Sequence, residues 1–174
     1  VLTGNGDGTF ELGTRISGIA GAFALGTGRL DSDGITDVVV SQLAEGSVTV
    51  LLGSNGWMLS QQASQPAGTS PRALRVVDLD RDGMLDLIVA NRDEDSLSVL
   101  LGHGDGTFAA PVALPVGAGP RALTLVGFDS DGKRDARGAN HDGDEVAFLQ
   151  GNGDGTFGAV RRIAGLSGRW AIES

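Results

Sequence analysis

Apolar residues in this chain come in short runs divided by glycine- and aspartate-rich stretches, and no segment sustains a 3.6-residue period. Such runs bounded by turn residues predict β-strands rather than helices. The middle of the chain shows the pattern best. Residues 73–77 (ALRVV) form a first strand candidate and an aspartate-rich loop follows. Residues 87–90 (LIVA) are apolar at consecutive positions, as expected of a strand covered on both faces. A polar turn at Asp93, Glu94, Asp95 and Ser96 leads to a third strand over 97–101 (LSVLL). Residues 102–107 then read as a hairpin turn with Asp-Gly at its centre. A looser fourth strand is expected over 108–114, where Pro111 suits an outer edge.

The same sequence of events recurs. GNGDGTF stands at 4–10 and 151–157, and GHGDGTF at 102–108, offsets of 98 and 147, which are two and three times 49. DSDGITD at 31–37, DRDGMLD at 80–86 and DSDGKRD at 129–135 are each 49 apart, as are the two copies of PRAL at 71–74 and 120–123. A copy of the hairpin turn is missing near Gly53, where GSNGWML keeps the glycines but loses Asp-Gly-Thr-Phe.

Four short strands in a self-similar unit of this length predict an all-β fold of β-propeller-type blades, each a four-stranded antiparallel sheet. A β-sandwich requires no such self-similarity, and a parallel β-helix uses a shorter coil. The chain reads as one repeat domain, 1–174, with a partial unit at 1–21, units at 22–70, 71–119 and 120–168, and a partial unit at 169–174. That is 174/49, about 3.6 units, whereas propellers close with four to eight blades. A fragment, a ring completed by self-association and an open array are the three outcomes, and self-association is the favoured expectation.

Composition narrows the chemistry. The 29 glycines demand many turns, and the absence of cysteine excludes a disulfide framework and thiolate metal sites. A formal charge of −9 argues against nucleic acid and anionic membrane surfaces as partners. No apolar run approaches membrane-spanning length. The opening VLTGNGDGTF lacks a basic segment followed by an apolar one, so a mature or excised piece is expected.

The acidic excess is concentrated where a cation would use it. Asp78, Asp80, Asp82 and Asp86 fall in D-x-D-x-D-G-x-x-D. Calcium takes six to eight oxygens, and carboxylates at alternate positions of a tight loop converge on one point. Gly83 permits the sharp turn, the backbone carbonyl of Met84 offers a further oxygen, and Asp86 closes the site as the next strand begins. Without a cation four carboxylates in nine residues repel one another. The first copy carries Asp31, Asp33, Asp37 and the carbonyl of Ile35, with Arg29 in the leading position. The third carries Asp129, Asp131, Asp135 and the carbonyl of Lys133, with Gly127 leading. Fewer carboxylates predict weaker sites in those two loops.

D-x-D-x-D-G-x-x-D-L-I-V-A-N, then a strand ending LLG, then G-x-G-D-G-T-F, resembles the FG-GAP (VCBS-type) repeat over essentially the whole chain. The resemblance implies that the acidic loop joins the first two strands of a blade and binds calcium. It also implies an extracellular or cell-surface protein. One departure stands out: DLIVAN at 86–91 becomes DARGAN at 135–140, with Arg137 and Gly138 in place of Ile88 and Val89.

His103 and His141 read as surface residues, and Asp7, Asp105 and Asp154 as setters of turn geometry. Glycine spacing at 102–106 lacks the lysine and helix of a phosphate loop. Trp57 and Trp170 are read as packing between blades, with sugar stacking as the other role. No acid, base and nucleophile set is recognisable, so the chain is expected not to be an enzyme. The expected function is a calcium-binding extracellular scaffold or adhesion module contacting proteins or other copies of itself. The alternatives are a lectin-type propeller holding glycans, or the accessory domain of a secreted polysaccharide-active enzyme.

Overall fold

A computed structural model describes residues 2–13, 15–55 and 58–165. Three antiparallel meanders follow one another. The first contains β3 (Ala22–Gly28), β4 (Asp37–Gln42), β5 (Ser47–Ser54) and β6 (Met58–Gln61), with β7 (Gln65–Pro66) also on β5. The second contains β8 (Pro71–Val77), β9 (Asp86–Asn91), β10 (Ser96–Leu100) and β11 (Val112–Pro115). The third contains β12 (Pro120–Val126), β13 (Asp135–Asn140), β14 (Glu145–Leu149) and β15 (Arg161–Ala164). A separate hairpin of β1 (Leu2–Gly4) and β2 (Phe10–Leu12) precedes them, bearing the first GNGDGTF turn. No α-helix occurs among the described residues. The all-β fold of propeller-type blades expected from the repeat is the fold observed.

The blades stack through their faces. Leu30, Val39, Val48 and Val50 of the first blade share one buried cluster with Leu74, Leu87, Val89 and Leu100 of the second. Leu79, Ile88, Ala90, Leu97 and Val99 of the second share another with Leu123, Ala136, Ala147 and Leu149 of the third. β9 thus sends Leu87 and Val89 backward and Ile88 and Ala90 forward, and all six of its residues are buried. That is why its apolar residues are consecutive instead of alternating.

Local differences from the sequence reading have local causes. The fourth strand of the second blade starts at Val112, because the chain at Phe108 makes only an isolated bridge to Gly102. The turn before it is held by Asp105, which accepts the Thr107 N–H at 2.9 Å and hydroxyl at 2.6 Å. Asp7 and Asp154 do the same for Thr9 and Thr156. These bonds hold all three carboxyls below the usual carboxylate range, the threonine hydroxyl contributing most. The first blade lacks this device, and β5 runs on to Ser54, with Gly53 paired to Leu59.

Arg137 finds aromatic partners. Its guanidinium lies 3.8 Å from the centroid of Phe128 and 5.7 Å from that of Phe148, whose rings are 5.9 Å apart. Phe128 and Phe148 occupy the positions held by Leu79 and Val99 one repeat earlier. The cation is therefore carried by a cation–π stack rather than by an apolar interior.

Candidate metal centre

Each acidic loop joins the first and second strands of its blade, and its last aspartate opens the second strand. That aspartate is buried in all three blades: Asp37, Asp86 and Asp135. One oxygen of each accepts a backbone N–H from the head of the loop, from Leu30, Leu79 and Phe128, at 2.7 Å. The other accepts the N–H of Gly53, Gly102 and Gly151 at 2.8, 2.8 and 2.9 Å. The carboxylate therefore staples the loop to the end of the third strand. Glycine is required there: a Cβ at Gly102 or Gly151 would drive into the carbonyl oxygen of Leu85 or Arg134. The first copy is equally tight, a Cβ at Gly53 standing 2.5 Å from the Thr36 carbonyl oxygen. The sixteen-residue spacing from aspartate to glycine, the same in all three copies, is the sequence signal for this staple.

The second loop carries the richest donor set. Among the described residues, Asp78, Asp80 and Asp86 each bring a carboxylate oxygen to within 4.8 Å of the others, and no other group of three acidic or histidine side chains does so. The loop winds tightly through Arg81 at φ 68° and Gly83 at φ 87°. Asp78 accepts the Arg81 N–H at 2.6 Å and the Gly83 N–H at 3.2 Å, and Asp80 accepts that of Asp82 at 3.2 Å. Asp82 stands outside the trio and receives the Met84 N–H at 2.7 Å. Burial pushes the Asp86 carboxyl up, the N–H groups of Gly102 and Leu79 work against the rise, and the charges of Asp80 and Asp82 add to it.

The other two loops repeat these turns without the leading aspartate, whose place Arg29 and Gly127 take. In the third, Gln150 donates to Asp129 at 2.5 Å and the Lys133 ammonium sits 3.2 Å from Asp131. Lys133 N–H also donates to Asp131 at 2.8 Å. Asp129 and Asp131 thus have side-chain donors, whereas the hydrogen bonds of Asp78, Asp80 and Asp86 come from backbone N–H groups. In the first, Asp31 accepts the Asp33 N–H and Asp33 accepts the Ile35 N–H. Neither loop gathers three carboxylate oxygens on one point among the described residues. The Gln150 contact was not foreseen from sequence; it comes from the following hairpin, 21 residues on. Trp57 and Trp170 lie outside the described residues.

One loop and one staple now stand in the same places in all three blades, and the Asp-Gly-Thr-Phe hairpin turn in the second and third. The family model for the FG-GAP-like repeat matches residues 29–89 and again 78–136. The chain belongs to the FG-GAP-like repeat family. These FG-GAP blades superpose on solved structures of low sequence identity. An Agrocybe aegerita lectin specific for non-reducing terminal N-acetylglucosamine matches with a TM-score of 0.60 at 20% identity, over 92% of this chain and 45% of that one. A protein from Lactobacillus plantarum matches with a TM-score of 0.57 at 21% identity, over 78% of this chain and 41% of that one. The FG-GAP chain spans less than half the length of either. No curated protein matches it.

Proposed function

We propose that this FG-GAP chain is a calcium-binding extracellular scaffold or adhesion module, without catalytic activity of its own, whose second acidic loop is the ion site. The observation that carries the reading is the convergence of Asp78, Asp80 and Asp86 within 4.8 Å. Hard carboxylate oxygens without sulfur or imidazole suit calcium among the common divalent ions. The Met84 carbonyl supplies a further oxygen of the same kind. Calcium there would neutralise charges that repel when the loop is bare, and would lock the connection between the first two strands.

The staple aspartate has a structural duty that holds with or without an ion, so the loop is preformed by hydrogen bonds. Asp78 and Asp80, whose hydrogen bonds stay within the loop, serve the metal chiefly. A calcium concentration of millimolar order, as outside cells, is the range in which extracellular modules of this kind fill. Isothermal titration of calcium into metal-free protein tests the reading. One site, removed by Asp80→Asn and retained in Asp129→Asn, is the expected result.

A further inference from the structure

The two PRAL copies, at 71–74 and 120–123, have no part in the ion site. Each opens the first strand of its blade with a bulge. Pro71 pairs with Asn91 and Ala73 with Ala90, so Arg72 is the extra residue beside Asn91. Pro120 pairs with Asn140 and Ala122 with Ala139, so Arg121 is the extra residue beside Asn140. Both asparagines end the second strand of their blade, and they are 0% and 1% exposed. The amide nitrogen of Asn91 donates to the Ala67 carbonyl at 3.0 Å, and that of Asn140 to the Val116 carbonyl at 2.7 Å. These acceptors fix which way each amide points, and its oxygen turns elsewhere. That oxygen is buried and makes no hydrogen bond in either blade. The Nε of Arg72 and of Arg121 is buried and makes none either. Among the described residues the same holds only for the Nε of Arg92 and of Arg137, whose guanidiniums are held by Asp93 and Asp142 and by Phe128 and Phe148. Each bulge thus carries one unused donor and one unused acceptor. The first blade has Phe23 and Gln42 at these two positions. It has no arginine donor, and the Gln42 oxygen accepts the hydroxyls of Ser47, Thr49 and Ser64 instead.

We propose that each of these two bulges binds one buried water molecule, which accepts from the arginine Nε–H and donates to the asparagine Oδ1. Water is the ligand of the right chemistry, because it accepts and donates at once and is small enough for atoms shut off from solvent. An anion would suit the guanidinium and be repelled by the amide oxygen, and a metal cation would do the reverse. Glycine lets the chain come close here: a Cβ at Gly68 or Gly117 would collide with the amide nitrogen of Asn91 or Asn140. The water ties the start of the first strand to the end of the second. It does so at the opposite end of the blade from the aspartate staple, since Asp86 opens β9 and Asn91 closes it. The PRAL arginine and the asparagine 19 residues after it thereby act as one unit in the second and third blades. The site is separate from the calcium loop and does not depend on it.

A high-resolution crystal structure of the whole 174-residue chain tests this directly. One ordered water within about 3.2 Å of both Arg72 Nε and Asn91 Oδ1 is expected, and another at the same distances from Arg121 Nε and Asn140 Oδ1. Crystals of Arg72→Met are expected to lose the first water and keep the second. A direct bond between arginine and asparagine, a water missing from either bulge, or a water that stays beside Asn91 in Arg72→Met overturns the proposal. A second measurement needs no crystals. Melting temperatures of wild type, Arg72→Met, Asn91→Ala and the double variant form a cycle. The double variant is expected to lose less than the sum of the two single losses, because each single change already strands the other group. Strictly additive losses would show that the two residues share no water.

Discussion

The N–H of Gly102 donates to the Oδ1 of Asp86 at 2.8 Å, across sixteen residues that leave the loop, cross β9 and return along β10. The bond fixes where β10 ends relative to where β9 begins. Its counterparts, Gly53 to Asp37 and Gly151 to Asp135, do the same in the neighbouring blades. Gly102→Ala forces its methyl group into the Leu85 carbonyl oxygen and is expected to cost about 1–3 kcal/mol of stability, as overpacking does. Asp86→Ala leaves two backbone N–H groups without their acceptor and is expected to cost about 2–6 kcal/mol, at 1–3 for each. Urea unfolding in the presence of chelator measures both, and losses that persist without any metal identify the staple.

The junctions between blades predict a contrast within one repeat position. Ile88 is fully buried between the second and third blades, so Ile88→Ala is expected to cost about 2–5 kcal/mol. Arg137, 49 residues on, rests on Phe128 and Phe148, and Arg137→Ala is expected to cost about 0.5–2 kcal/mol, the range of a cation–π contact. Arg137→Lys keeps a charge but loses the flat stack, and should fall between wild type and Ala in a thermal melt.

Acid unfolding should report the hairpin turns. Asp105 and Asp154 have carboxyls held below their ordinary value by the Thr107 and Thr156 hydroxyl and N–H donors. A lowered folded-state pKa means that the unfolded chain takes up the proton first. The stabilisation is therefore fully present above the ordinary value of 3.8 and is lost as pH falls through the lower folded value. The double variant Asp105→Asn with Asp154→Asn should show a shallower loss of melting temperature below about pH 4 than wild type, and no change of slope between pH 6 and 8.

Much of this molecule is legible in its sequence, because repetition supplies its own control. Apolar runs such as 87–90 predict a strand covered on both sides, and the period of 49 gives the blades; β9 buried between two clusters is the result. What escaped came from contacts between segments that no local pattern joins. Arg137 stood out only as a departure from the apolar pattern, because its partners, Phe128 and Phe148, lie just past β12 and on β14. The role of Asp86 looked like that of a ligand alone, since the N–H groups that hold it belong to a leucine and a glycine, which carry no polar side chain to notice. Asp82 fits the spacing of a ligand, yet the turn through Arg81 and Gly83 leaves its carboxylate on the Met84 N–H, outside the trio.

Calcium binding at the second loop is tested by the melting temperature with chelator and with calcium, for wild type, Asp80→Asn, Asp31→Asn and Asp129→Asn. Calcium at ten to a hundred times its dissociation constant adds about 1.4–2.7 kcal/mol, which for a chain of this size raises the melting temperature by roughly 3–10 °C. That rise is expected in wild type, Asp31→Asn and Asp129→Asn, and is lost in Asp80→Asn. A melting temperature indifferent to calcium in metal-free wild type, or a rise that survives in Asp80→Asn, would contradict it.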